Sequence, residues 1–219
     1  ADAVYLGLQN FNARDRAKNF TLQQLQAACD HAHSRHVNIF VTVNTVVKNN
    51  ELADCLRLLD HLERIEIDAV IIQDWGVYHL LRTCCPRLEL HASTQMANHN
   101  SLGAEFSREQ KFSRVIFARE LTMDEVKTIR HNSSVGLELF IHGALCYSFS
   151  GMCLFSSYLG GMSANRGRCT QPCRRTYYKK NSPGLLFNLK DNQLIDHIPL
   201  LADLGVDSLK IEGRLKSPE

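Results

Sequence analysis

No apolar run in this 219-residue sequence approaches the roughly 20 residues needed to cross a bilayer, and no charged-then-apolar leader opens it. The expected compartment is the cytoplasm, with no membrane partner. Charge of one sign is equally scarce. The formal net charge is only +2, so any attraction to nucleic acid has to come from a local patch. No G-x-G-x-x-G follows the first strand-like run, which removes the usual dinucleotide signature of an open doubly wound sheet. H-E-x-x-H and G-x-S-x-G are also absent, and with them the readiest zinc-peptidase and serine-hydrolase readings. A triad assembled from distant residues is recognised by geometry, and sequence leaves it open.

What is present is a periodic core. At 44% hydrophobic residues the chain can bury a sizeable interior, enough for one large α/β domain over residues 1–219. It begins at Ala1 without a methionine and stops soon after a strand-like run, so a piece of a longer protein is expected. Seven β-rich runs, at 4–8, 37–43, 69–72, 88–91, 114–118, 137–141 and 208–211, read as strands. Thr21 with Gln24 and Thr122 with Glu125 have capping-box spacing, and Asp74 is an N-cap candidate. Leu22, Leu25, Cys29 and Ala32 stripe one helix, Leu52, Leu56, Leu59 and Leu62 the next, and Leu102 with Phe106 give another its face. Residues 191–204 read as a last helix, interrupted near Pro199 and ended by Gly205. Strands alternating with helices make a parallel sheet. The expected fold is a TIM-type (β/α)8 barrel, truncated at its N-terminal strand and its C-terminal helix.

Polar residues at the C-terminal ends of barrel strands line the active mouth. Here those are Asn44, Gln73, His91, Ser93, Gln95, Arg119, Glu120, His142 and Glu212. Any one of them can simply cap a helix or satisfy a loop. Their recurrence at the same end of successive strands is what marks them.

The densest chemistry lies at 142–190, a Cys-rich insertion that follows the seventh barrel strand once the lost strand is counted. Cys146, Cys153, Cys169 and Cys173 fall within 28 residues, with six, fifteen and three residues between them, among glycines that let the backbone turn tightly. Soft thiolates select iron-sulfur clusters or zinc. Structural zinc sites draw on ligand pairs about two to four residues apart, and only Cys169 and Cys173 come near that spacing. The wider intervals suit ligands collected around a larger object, so a 4Fe-4S cluster leads and zinc is the alternative. Burial as core residues is the competing reading, and it is assigned to Cys29, Cys55, Cys84 and Cys85, which fall in helical stretches. A thiol nucleophile at Cys146 beside His142 would leave three cysteines unexplained.

Arg166, Arg168, Arg174, Arg175, Lys179 and Lys180 lie within fifteen residues that hold no acid, with Tyr177 and Tyr178 among them. Such a run is either a solvated loop or a surface for RNA, in which cations meet phosphates and tyrosines stack on unpaired bases. The RNA candidates are Arg174, Arg175, Tyr177, Lys179 and Lys180.

Three motifs carry a resemblance. E-x-F-x-x-G-A-x-C-x6-C runs from Glu138 to Cys153, N-x-G-x-C-x3-C-R from Asn165 to Arg174, and Lys210-Ile211-Glu212-Gly213-Arg214 follows. With His91-x-Ser93-x-Gln95 and the opening strand, they make nearly the whole chain resemble the collagenase-like peptidase family U thirty-two. That resemblance implies a TIM-barrel-like core, a 4Fe-4S cluster on Cys146, Cys153, Cys169 and Cys173, and oxygen-independent hydroxylation. In the RNA branch it implies prephenate as co-substrate, the source of the hydroxyl oxygen. The cysteine spacing is similar to the branch acting on tRNA wobble uridine, whereas 181–190 resembles other branches as much. The expected function is hydroxylation of a tRNA uridine or an rRNA base, with a collagenase-like peptidase as the alternative. Arg119, Arg168 and Arg214 are candidates to pair with the small dicarboxylate, since guanidinium forks match carboxylates. Asn44, His91, Ser93 and Gln95 complete the expected substrate site, and Glu138, His142 and Glu212 are the expected proton carriers. An electron-donor protein is a further candidate partner.

Overall fold

Strands such as 69–72, apolar at every position, need cover on both faces, which a parallel sheet wrapped by helices supplies. The computed structural model describes residues 1–180 and 182–213, and it shows that arrangement. β1 (Ala3–Gly7), β2 (Asn38–Val43), β3 (Ala69–Ile72), β4 (Leu90–Ala92), β5 (Arg114–Ile116) and β6 (Gly136–Gly143) alternate with α1 (Leu22–His33), α2 (Leu52–Ile65), α3 (Trp75–Cys84), α4 (Ser101–Glu109) and α5 (Met123–Asn132). After β6 comes an irregular segment with one short helix, α6 (Phe155–Gly160), and a hairpin of β7 (Tyr177–Lys179) and β8 (Ser182–Gly184). β9 (Asn192–Gln193), α7 (Ile198–Asp203) and β10 (Ser208–Ile211) close the chain. The sheet runs β1-β2-β3-β4-β5-β6-β10, all parallel, with β9 antiparallel against β6. Among the described residues no ladder joins β1 to β10. The sheet is therefore a curled half-barrel, where the sequence suggested a (β/α)8 barrel truncated at its N-terminal strand and its C-terminal helix.

Period-two alternation divides the side chains. Leu6, Val41, Val70, Ile72, Leu90, Val115 and Leu137 point outward and pack with Leu25, Cys29, Leu59, Leu62, Leu81 and Val126 of the helices. Phe40, Ala69, Ile71, Ile116 and Phe140 point into the curl with Tyr5. Both expected capping boxes form, and Asp74 accepts from the amides of Gly76 and Val77.

Two local expectations change. Leu102 and Phe106 are 83% and 48% exposed, and α4 instead buries Ala104 and Ser107, whose small side chains let it sit close to the sheet. Residues 191–204 do not form one helix. Pro199 stands in the first turn of α7, where its missing N–H costs nothing, so it starts the helix rather than interrupting it. The segment before it pairs with β6 as β9.

Candidate active site

The site is at the C-terminal end of the sheet, and the loop after β1 begins it. Asn12 is buried; its Nδ2 donates to the Leu8 carbonyl and its Oδ1 accepts from the Arg14 amide at 2.8 Å. Asn44, one residue past β2, accepts the Ala13 amide at 3.0 Å. The two amides pin the loop so that Arg14 turns inward to bond Glu212. The other oxygen of Glu212 takes Arg119 at 2.5 Å, and that guanidinium lies 3.9 Å over the Phe140 ring. Burial works against the Arg14 charge, but the Glu212 carboxylate outweighs it and holds the guanidinium pKa above its ordinary value.

Glu212 is placed by β6. Its amide donates to the His142 carbonyl at 3.0 Å. Gly143, at φ +137°, lets it approach: a Cβ there would lie 3.0 Å from the Cβ of Glu212. The register shifts between Lys210 and Ile211, so that β6 spends an extra residue and His142 comes opposite the exposed Ile211.

These groups line a cavity of about 150 Å³. Tyr5, Ile71, Ile116, Phe140 and Lys210 come from the strands; Thr42, Asn44, Ser93, Thr94, Gln95, Arg14, Arg119 and Glu212 come from their ends. Ser93 Oγ accepts the Gln95 amide at 3.3 Å, which caps a single helical turn over Thr94–Met96. Among the described residues the buried Gln95 Oε1 atom has no partner, an acceptor in the wall of a space that a ligand can fill.

All four cysteines of the 146–173 segment line the same cavity. Buttresses hold that segment over the mouth: Glu120 accepts from the Ser150 amide and hydroxyl at 2.7 and 2.9 Å, and Arg166 bonds Glu51. Gly167, at φ +83°, packs against the Asn12–Asp15 loop. The Phe155 amide donates to Cys153 Sγ and the Gln171 amide to Cys169 Sγ, each at 3.4 Å. Burial, then the neighbouring Cys146 and Cys169, raise the pKa of Cys173. Among the described residues no three His, Cys, Asp or Glu are grouped closely enough for a single ion. Four thiols around one shared space, two already receiving backbone N–H groups, are a donor set of the kind that holds a polynuclear cluster.

The other expected site residues are placed elsewhere. Glu138 is buried inside the curl, bonded to Lys210 Nζ at 2.7 Å and Arg114 at 3.2 Å. His91 is fully buried with Nε2 3.1 Å from Glu89, and burial lowers its pKa. His142 is exposed on β6 and lines no part of the cavity. Arg168 is exposed and bonded to Asp15, and Arg214 lies outside the described residues. Arg174 bonds Asp191 at 3.1 Å, and the Tyr177 hydroxyl donates to the Pro172 carbonyl, its ring beside Phe155 and Phe187. Arg175, Tyr178, Lys179 and Lys180 are exposed on and around the β7–β8 hairpin. Two charged cavity residues, Arg14 and Lys210, are not among the expected site residues. Lys210 was legible, standing two positions before Glu212 on one strand face; Arg14 gave no signal in its loop.

The model of Peptidase family U32 matches residues 1–219. The chain belongs to that family. A 23S rRNA 5-hydroxycytidine synthase of Escherichia coli (strain K12) is 40% identical over 99% of this chain and 34% of its own length. The tRNA hydroxylation protein P1 of Bacillus subtilis (strain 168) is 32% identical over 99% of this chain and 54% of its own. A collagenase of Porphyromonas gingivalis is 35% identical over 100% and 57%. The chain thus spans between a third and just over half the length of these relatives. A solved U32 peptidase superposes with TM-score 0.63 over 96% of this chain and 84% of that one, at 15% identity, which speaks for the shared fold.

Proposed function

We propose that this U32 chain carries the cofactor and substrate site of an RNA-hydroxylating enzyme acting on a tRNA uridine or an rRNA base. The observation that carries the reading is that four thiols and a guanidinium pair line one cavity at the C-terminal mouth. The relatives named for tRNA hydroxylation and rRNA hydroxycytidine synthesis support the substrate class. Cys146, Cys153, Cys169 and Cys173 would hold a 4Fe-4S cluster, which when bound supplies electron transfer or polarisation of an oxygen donor. Arg14 and Arg119 bind and orient a small dicarboxylate, prephenate by the family resemblance, in exchange for part of their bonding to Glu212. Glu212, released, is the proton acceptor nearest that ligand. Gln95 Oε1 offers an acceptor to an N–H of the extruded base, and Asn44 and Ser93 hold the wall beside it. Arg175, Lys179, Lys180 and Tyr178, exposed beyond the mouth, meet the RNA backbone and its unpaired bases.

The test is anaerobic purification of the full-length protein with iron and sulfide analysis, then mass spectrometry of tRNA and rRNA incubated with it. Iron and sulfide near four each, lost in Cys169→Ser, together with an added oxygen on one base, is the expected result. Bound zinc in place of iron overturns the cluster. Gelatin cleavage that survives Cys169→Ser, without RNA product, overturns the hydroxylase in favour of the peptidase that the collagenase relative suggests.

A further inference from the structure

We infer that Lys210 is a carbonyl-binding amine, which takes the carbonyl carbon of a small oxo acid as an imine while Arg14 and Arg119 hold the acid's carboxylate. The inference deepens the proposed function by naming the ligand class of its cavity, and rests on that reading only in expecting a small acid there.

Glu212 follows the last strand, two positions after Lys210, and both line the mouth cavity. The Lys210 ammonium lies 4.2 Å from the Tyr5 ring centroid and 5.7 Å from that of Phe140, and its residue lines both the mouth cavity and a groove of about 370 Å³ between β1 and β10. Its partner Glu138 already has a second cation, Arg114, at 3.2 Å. Two cations therefore face one buried carboxylate, and neutrality does not require both. A lysine in an apolar, aromatic site beside another cation loses its proton more readily than a guanidinium does. Burial, then the nearby Arg114, lower the Lys210 pKa; Glu138 and Glu212 oppose them without prevailing.

Glu138 completes the chemistry. Across the 2.7 Å bond the ammonium passes one proton to the carboxylate, and the freed amine adds to the carbonyl carbon. The proton returns from Glu138 to the carbinolamine oxygen, which leaves as water. The balance is one ammonium and one carbonyl giving one iminium and one water, with the carboxylate regenerated and no oxidant or reductant used. The groups facing the amine are Glu138 of β6, Arg114 of β5, Tyr5 of β1 and Glu212 beyond β10. The two guanidiniums at the mouth then select a carbonyl compound bearing a carboxylate.

Trapping tests this directly. The chain is incubated with pyruvate and cyanoborohydride, digested, and mapped by mass spectrometry. The expected result is a reduced adduct at Lys210 ahead of the exposed Lys48, Lys179 and Lys180, with acetaldehyde, which has no carboxylate, labelling Lys210 about tenfold less. Lys210→Arg keeps the charge beside Glu138 and should remove the adduct from a folded protein. Adducts confined to exposed lysines, or equal labelling of Lys210 by acetaldehyde, overturn the inference. An adduct in a protein that modifies no RNA leaves the carbonyl site standing and sinks only the hydroxylase. RNA product without an adduct does the reverse.

Discussion

Glu138→Gln isolates the energetics of the interior. The Glu138 side chain is 3% exposed and its two oxygens bond Lys210, 7% exposed, and Arg114, 23% exposed. Gln keeps the volume and one acceptor but removes the carboxylate that Lys210 bonds, leaving its buried charge opposed by the weaker influence of Glu212. Breaking a buried pair this way costs about 3–5 kcal/mol, and the retained acceptor argues for the lower end, about 3 kcal/mol. A domain of ordinary stability holds about 5–15 kcal/mol, so the urea midpoint should fall by about a fifth to three fifths with the slope unchanged. Replacing both partners by apolar groups of like size removes the charges together with their desolvation cost. Glu138→Leu with Lys210→Met should therefore recover most of the loss, to within about 1 kcal/mol of the parent, while Arg114 keeps its access to water. The assay is urea unfolding followed by far-ultraviolet circular dichroism on all three proteins. A single variant within about 0.5 kcal/mol of the parent, or a double variant as unstable as the single, would refute the claim that Lys210 depends on Glu138 for its burial.

Gly167→Ala and Gly205→Ala separate strain from collision. Both sit at positive φ, but a Cβ at Gly205 meets nothing within 4 Å, whereas one at Gly167 overlaps the Asn12 carbonyl oxygen and comes to 3.0 Å of Asp15 Cβ. Gly205→Ala should cost about 1 kcal/mol and Gly167→Ala at least about twice that in thermal melts; equal losses would contradict the packing of the cysteine segment on the Arg14 loop. Acid should destabilise the fold in two stages. His91 has its pKa lowered, so its contribution is whole above the ordinary 6.5 and is lost as pH falls below it. Glu89, which bonds His91 and is pulled from 4.5 to about 2, contributes fully above 4.5 and loses that contribution as pH falls toward 2. A melting temperature that rises as pH falls from 6.5 to 4.5 would contradict the His91 sign, and one that rises as pH falls below 4.5 the Glu89 sign.

The strands and capped helices were legible because their signals are local. Thr21 and Gln24 satisfy each other within one turn, and the apolar run at 69–72 admits few alternatives to a covered strand. The errors came where tertiary contact decides. Nothing near Leu102 shows that Ala104 faces the sheet, since a small residue on an approaching face looks the same as one on a solvated face. The mouth was legible where strand ends supply it, as with Asn44, Ser93, Gln95, Arg119 and Glu212, and illegible for Arg14, whose place depends on amide bonds from a loop to Asn12 and Asn44. His142 failed for a geometric reason: the register shift inserts one residue, and in a strand one residue is the difference between the inner and outer face.

That register shift also joins the two halves of the mouth. Gly143 ends β6, accommodates Glu212 just after β10, and stands three residues before Cys146, so the residue whose carboxylate holds Arg14 and Arg119 is packed against the start of the thiol segment. Gly167 makes the reciprocal contact, two residues before Cys169 and against the loop that carries Arg14. Cys169 lies close enough to Arg14 for a thiolate there to favour the guanidinium charge. Deprotonating thiols in one small space is opposed by burial first and then by mutual repulsion, and both raise the pKa of Cys173, the repulsion coming from Cys146 and Cys169. Cations held within the same cavity reduce that cost, and a small acid bound to them, as proposed above, would lie in the space the thiols line. On that proposal, ligand binding and thiol charge would be coupled through Arg14, which bonds Glu212 and lies near Cys169.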